Sequence, residues 1–279
     1  MRTKQVRCVP ALLLILVNVL SLFSLQVWAD EQNLTISHVR GHIHQFHHAS
    51  GSGVILEGET ALIVGNPGNA EEADALYIQL LAEFDKPVRY VFATSAERAE
   101  GLSAFAKRGA VTVVHQAAAD ATEDLTINMA FAQQLTLFLD DRQVQLVYPG
   151  ASTGTGTVVA LFPDEEALYA IDVVAVNRLP DPALFQTAQF PAWFNAIETI
   201  KRLPFVYLLS GHNDIGIRND AVQHGYFLRE LQNRVKRAIE VGVTAEDLAT
   251  SVDLGAYQRW GQFDAWSADV VRGMAATLN

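Results

Sequence analysis

The chain has 279 residues, half of them hydrophobic, with 20 Lys and Arg against 31 Asp and Glu. Its one cysteine, Cys8, excludes a disulfide framework within the chain. So acidic a balance also excludes an electrostatic grip on nucleic acid, which needs basic patches.

The first elements belong to targeting. Arg2, Lys4 and Arg7 precede an apolar run from Ala11 to Val27, and VWAD follows with small residues where a signal peptidase reads. This pattern predicts a signal peptide over 1–29, cleaved after Ala29, and a periplasmic or secreted product with no stable membrane span after its removal. What remains, 30–279, is 250 residues (279 minus 29), enough for a single domain with a large core. It carries 17 Lys and Arg (20 minus Arg2, Lys4 and Arg7) against 31 acidic residues, a net charge of −14.

Residues 41–53, GHIHQFHHASGSG, hold four of the eight histidines. On a strand His42 and His44 would share one face, and His47 and His48 would face opposite ways. SGVILEG (52–58) and TALIVGN (60–66) predict a hairpin turning at Gly58–Glu59. NAEEADALYIQLLAEF (69–84) predicts a helix capped by Asn69, with acidic residues in its first turn. VRYVFAT (88–94) reads as a buried strand, 96–109 as a helix ending at Gly109, and VTVVH (111–115) as a strand. Four strands are expected next, at 134–140, 144–150, 157–163 and 167–174. A helix over 182–203, broken at Pro191, leads to a buried strand, FVYLLSGH (205–212), and the chain from about Asn219 reads as mostly helical. Two hairpin-led halves with crossing helices imply two sheets packed face to face with helices outside. In that plan chemistry sits at strand ends, here at Thr94 onward, Asp172 and His212.

The order of GVILEGETALIV, PVRYVFAT, AFAKRGAVTVVH, VYPGASTGTGTVVALFPDEEALYAIDVV and LPFVYLLSGH resembles the metallo-β-lactamase superfamily. RVKRAIEVGVTAEDLATSV also resembles the C-terminal helices of its periplasmic members. The resemblance covers about 38–279 and implies an α/β fold, the four-layer αββα sandwich. It also implies a metal site that the residues largely lack. Where the family carries Thr-His-x-His-x-Asp-His, this chain has TSAERAE. In one register the four ligand places hold Ser95, Glu97, Ala99 and Glu100; in the other they hold Ala93, Ser95, Glu97 and Arg98. An inward Arg98 would oppose a metal. Ala-His-Thr is replaced by Ala151-Ser152-Thr153, and the early Asp-Thr-Gly by Gly65-Asn66-Pro67. The bridging aspartate survives as Asp172 and the final Gly-His as Gly211-His212, so two of six ligand places hold a usual ligand.

Three readings follow. The first is a non-hydrolytic pseudoenzyme that binds a small molecule or protein partner in a pocket of Ser95, Glu97, Glu100, Ser152, Asp172 and His212. The second is a metal-dependent hydrolase with a rearranged site, in which Asp172, His212 and His47 or His48 hold one zinc or other divalent ion, with Glu97 or Glu100 assisting. The third is a structural protein whose cleft is filled by side chains. No cofactor is expected under the first and third. A Ser152–His212–Asp172 triad is disfavoured, because these places converge on one centre where a relay is linear. If the cleft works, Asp172 and His212 should adjoin at its floor, with His47 or His48 as the nearest further histidine.

Overall fold

A computed structural model describes residues 34–211 and 215–278. The expected signal peptide and His212 lie outside the described residues.

Among the described residues thirteen strands form two sheets. The first runs in chain order through β1 (Thr35–Arg40), β2 (Ile43–His48), β3 (Gly51–Glu57), β4 (Leu62–Gly65), β5 (Val88–Phe92), β6 (Val111–His115) and β7 (Met129–Phe131). β1 to β4 pair antiparallel; β4 to β7 pair parallel. The second sheet contains β8 (Gln134–Leu139), β9 (Arg142–Val147), β10 (Val159–Phe162), β11 (Ala167–Tyr169), β12 (Tyr207–Leu209) and β13 (Ile215–Ile217), ordered β13-β12-β11-β10-β9-β8. Ile43, Val54, Leu56, Phe92, Leu146 and Phe162 fill the space between the sheets.

Helices α1 (Ala70–Phe84) and α2 (Leu102–Ala106) cover the outer face of the first sheet, where Phe46, Ile55 and Val91 meet Leu76, Leu80 and Phe105. The short α3 (Gln116–Asp120) follows β6. On the second sheet α4 (Leu184–Thr187), α5 (Ala192–Ile200), α6 (Arg218–Glu240), α7 (Leu248–Ser251) and α8 (Phe263–Ala276) close an apolar layer around Trp193, Phe227, Leu231 and Met274. The layers are therefore helix, sheet, sheet, helix. Covered on both faces, β3 is apolar without alternation from Val54 to Leu56.

The local chemistry of α1 matches the reading from sequence. Asn69 accepts the Glu72 N–H at 3.0 Å, and Glu72 accepts the Asn69 N–H at 2.9 Å, a reciprocal cap. Elsewhere the structure corrects it. The stretch 96–109 is a 3₁₀ turn (Ala96–Arg98) and then α2, not one helix. Gly101 lies against the chain entering α1, donating to the Gly68 carbonyl at 2.9 Å, and a Cβ there would sit 2.4 Å from that oxygen. That contact stops a regular helix and leaves Arg98 at the edge between the sheets. The strand expected to 174 ends at Tyr169, because the chain turns away through Asp172. The break near Pro191 is present, between α4 and α5. His42 lies in a turn, not on a strand with His44, and its N–H donates to Glu165.

Candidate functional site

Arg98 and Asp172 meet where strand ends of the two sheets adjoin. Arg98 closes the 3₁₀ turn after β5, and Asp172 follows β11 with φ 65°, a left-handed conformation that Asp and Asn tolerate better than most residues. Arg98 donates through Nε to Asp172 Oδ2 and through Nη2 to Oδ1, each at 2.8 Å, a two-pronged charged pair. Its Nη1 donates to the Ser50 carbonyl at 3.2 Å, so the Gly/Ser turn after the histidine cluster does border this site. The Arg98 and Asp172 side chains are 24% and 19% exposed. Burial is the largest influence and works against the charge on Arg98, but the Asp172 carboxylate, Tyr169 and Asp181 together outweigh it and raise the pKa.

A polar floor supports the pair. Asn66, at φ 55°, donates through Nδ2 to Thr94 Oγ1 (2.8 Å) and to the Tyr169 hydroxyl (3.1 Å), while its Oδ1 accepts the Thr94 N–H (2.8 Å). Tyr169 donates to the Ser52 carbonyl at 2.7 Å. Burial raises its pKa, so it remains a phenol. Three cavities surround Arg98, of about 180, 110 and 330 Å³. Asp172 borders the first and the last.

The structure gathers some of the expected site residues and separates others. Ser95 and Glu97 line the largest cavity with Arg98 and Asp172; Glu100 lines the smallest, with His48. Burial would raise the Glu97 carboxyl, but the Thr155 N–H at 3.0 Å and further hydrogen bonds outweigh it and hold the pKa below the usual value. Ser152 is buried, and its hydroxyl has no partner among the described residues. His47 pairs with Ser52 Oγ at 2.6 Å, and His48 with Glu72 at 3.2 Å. These partners draw both histidines away from the Asp172 carboxylate, which the rearranged metal site would have them join. With both oxygens on Arg98, Asp172 also has no geometry to orient a histidine in a triad. The ends of β11 and β12 do adjoin: a Cβ on Gly211 would lie 2.6 Å from Ile171 Cδ1.

Among the described residues, the histidine that borders the Arg98–Asp172 cavity of about 180 Å³ is His224, which sequence reasoning missed. It is fully buried on α6, its ring centroid 5.8 Å from that of Trp193, and neither ring nitrogen has a partner among the described residues. The signal was present: Ala221, His224, Leu228, Leu231 and Val235 form the apolar stripe of α6.

A scan against models of protein families gives no match, and a search of curated proteins gives none either. Among solved structures, a metallo-β-lactamase from Pontibacter korlensis superposes with a TM-score of 0.61 at 16% identity, covering 68% of this chain and 96% of that one. The chain has the metallo-β-lactamase fold.

That fold implies a metal at these strand ends, and the residues present do not fit one. A guanidinium lies 2.8 Å from both oxygens of the surviving aspartate, where a metal would need those lone pairs. Ser95, Glu97 and Ser152 supply hydroxyls and a carboxylate already held by backbone, in place of imidazoles. Among the described residues no group of three or more His, Cys, Asp and Glu is placed to hold a metal ion.

Proposed function

We propose that this is an exported metallo-β-lactamase-fold protein that binds a small ligand in a metal-free cleft, with Arg98 supplying the positive charge on which Asp172 is held. The observation that carries this reading is the two-pronged Arg98–Asp172 pair at the junction of the sheets. The adjoining cavities favour a binding cleft over one filled by side chains. On this reading Ser95, Glu97 and Asp172 belong to the cleft wall, and the partner is a small molecule or a protein segment, not nucleic acid.

Zinc titration of tag-free protein after chelation tests the proposal. We expect no stoichiometric zinc bound at the cleft; any weak uptake by the 42–48 histidines will survive Asp172→Ala. Two zinc ions per chain, lost on Asp172→Ala, would overturn it. Export rests on the basic start, apolar run and VWAD site. N-terminal sequencing of the exported protein should begin at Asp30, and a full-length chain retained in the membrane would contradict that.

A further inference from the structure

Two open sheets leave four edge strands among the described residues: β1 and β7 in the first sheet, β13 and β8 in the second. A free edge presents unpaired N–H and C=O groups, and proteins blunt it with short length, charge, proline or a bulge. Three of these edges are blunted. β7 and β13 are three residues each. β1 carries Arg40 and shifts its register between His38 and Arg40. β8 has none of these devices. It is six residues, QLTLFL, without charge or proline, and its pairing with β9 runs in unbroken register from Gln134 to Leu139.

The direction in which β8 is open follows from its ladder. The Tyr148 N–H donates to the Gln133 carbonyl at 2.8 Å. Antiparallel pairs alternate between bonded and unbonded. Leu135, Leu137 and Leu139 therefore direct their backbone groups to β9, and Gln134, Thr136 and Phe138 direct theirs away from it. Beside this edge Phe138 is 67% exposed. Its neighbours on the same face are Gln134, Thr136, Gln143 and Gln145, all uncharged. This neutral patch belongs to a chain that carries 17 basic against 31 acidic residues beyond residue 29. The nearest acid along the strand, Asp140, has both oxygens engaged by Thr60.

We propose that β8 pairs antiparallel with β8 of a second copy of this chain, about a two-fold axis through Thr136. In that register Gln134 lies opposite Phe138 of the copy, Thr136 opposite its own counterpart, and Phe138 opposite Gln134 of the copy. These three bonded pairs give about six inter-strand hydrogen bonds, and they join two six-stranded sheets edge to edge. On the inner face Leu135 meets Leu137 of the copy, which extends the apolar layer between the sheets. On the outer face Phe138 covers a glutamine. Two chains of like charge repel unless the surface they share is neutral, and in this register Asp140 falls opposite Ala132 of the copy, not opposite another acid. A copy offers every outward donor an outward acceptor, which favours it over an unrelated strand as the occupant.

Sedimentation velocity of the chain beginning at Asp30 tests this, over about 1 to 200 µM, the range suited to so small a seam. The protein should pass from monomer to dimer across it. Thr136→Lys sets two ammonium groups face to face at the axis. It should weaken the dimer at least about tenfold and leave the urea midpoint unchanged. Cross-linking gives a second reading, because Cys8 is the only cysteine of the full chain and precedes Asp30. Oxidised Thr136→Cys should join two copies at dimer concentrations. Gln143→Cys, on β9 and away from the seam, should remain largely single. A monomer throughout the range, a dimer indifferent to Thr136→Lys, or equal cross-linking through position 143 would each overturn the proposal. If Thr136→Lys fails to fold, the two cysteine variants decide.

Discussion

Asp172→Ala will lower the unfolding free energy by about 3 kcal/mol, the scale for stranding one partner of a largely buried ion pair, reduced slightly for its partial exposure. Two costs add. Arg98 loses both of its 2.8 Å acceptors while its side chain stays only 24% exposed. Alanine must also take up the φ of 65° that Asp172 holds. Asp172→Asn separates them: asparagine tolerates the left-handed backbone and keeps one acceptor, so the loss should be about half as large. The double variant Arg98→Met/Asp172→Asn should regain stability over Asp172→Asn alone, since no charge is then left unpaired. Urea denaturation of the four proteins checks this. Equal stability of wild type and Asp172→Ala would show that the pair contributes nothing to the fold.

The second large effect is acid sensitivity through His224. Burial pushes its pKa from 6.5 down to about 3, and neither ring nitrogen has a partner among the described residues to stabilise the charged form. The unfolded chain takes up a proton near pH 6.5, whereas the folded chain refuses it until about pH 3. Between those values the unfolded state binds more protons, so this contribution is fully present above about 6.5 and is lost as pH falls. The slope is up to about 1.4 kcal/mol per pH unit for one group. His224→Leu removes it and leaves no orphaned ring nitrogens. At about pH 7.5 the variant should match wild type or exceed it slightly, and at about pH 5 it should be about 2 kcal/mol more stable. Burial also lowers His44 and His47, but they are present in both proteins and cancel in the difference. Parallel pH dependences of the two urea midpoints would refute the assignment.

The fold was more legible than the site, for physical reasons. Local signals act over a few residues, and the Asn69/Glu72 cap and the 52–66 hairpin both lie within that reach. The helix expected over 96–109 failed because its interruption is set by Gly101 meeting the Gly68 carbonyl, a contact 33 residues away in the chain (101 minus 68). The three-residue strands β7 and β13 are too short to show a period. At the site, the loss of imidazole ligands was visible in TSAERAE and Ala151-Ser152-Thr153. That Arg98 turns inward was readable only as a condition, because its partner Asp172 is 74 residues away. His224 stands in a stretch read only as helical, and the stripe it shares with Leu228 and Leu231 places it inside.

Arg98 leaves the first sheet and Asp172 the second, so the pair that borders the cleft also fastens the two halves of the sandwich across its mouth. Tyr169, on the second sheet, makes a parallel stitch to Ser52 and Asn66 on the first side. Any breathing motion that parts the sheets at this end must break charged and neutral hydrogen bonds together. A ligand that parts Arg98 from Asp172 would therefore loosen a clasp as it binds. Amide hydrogens near the ends of β5 and β11 would then exchange in concert, though they belong to different sheets and lie far apart along the chain.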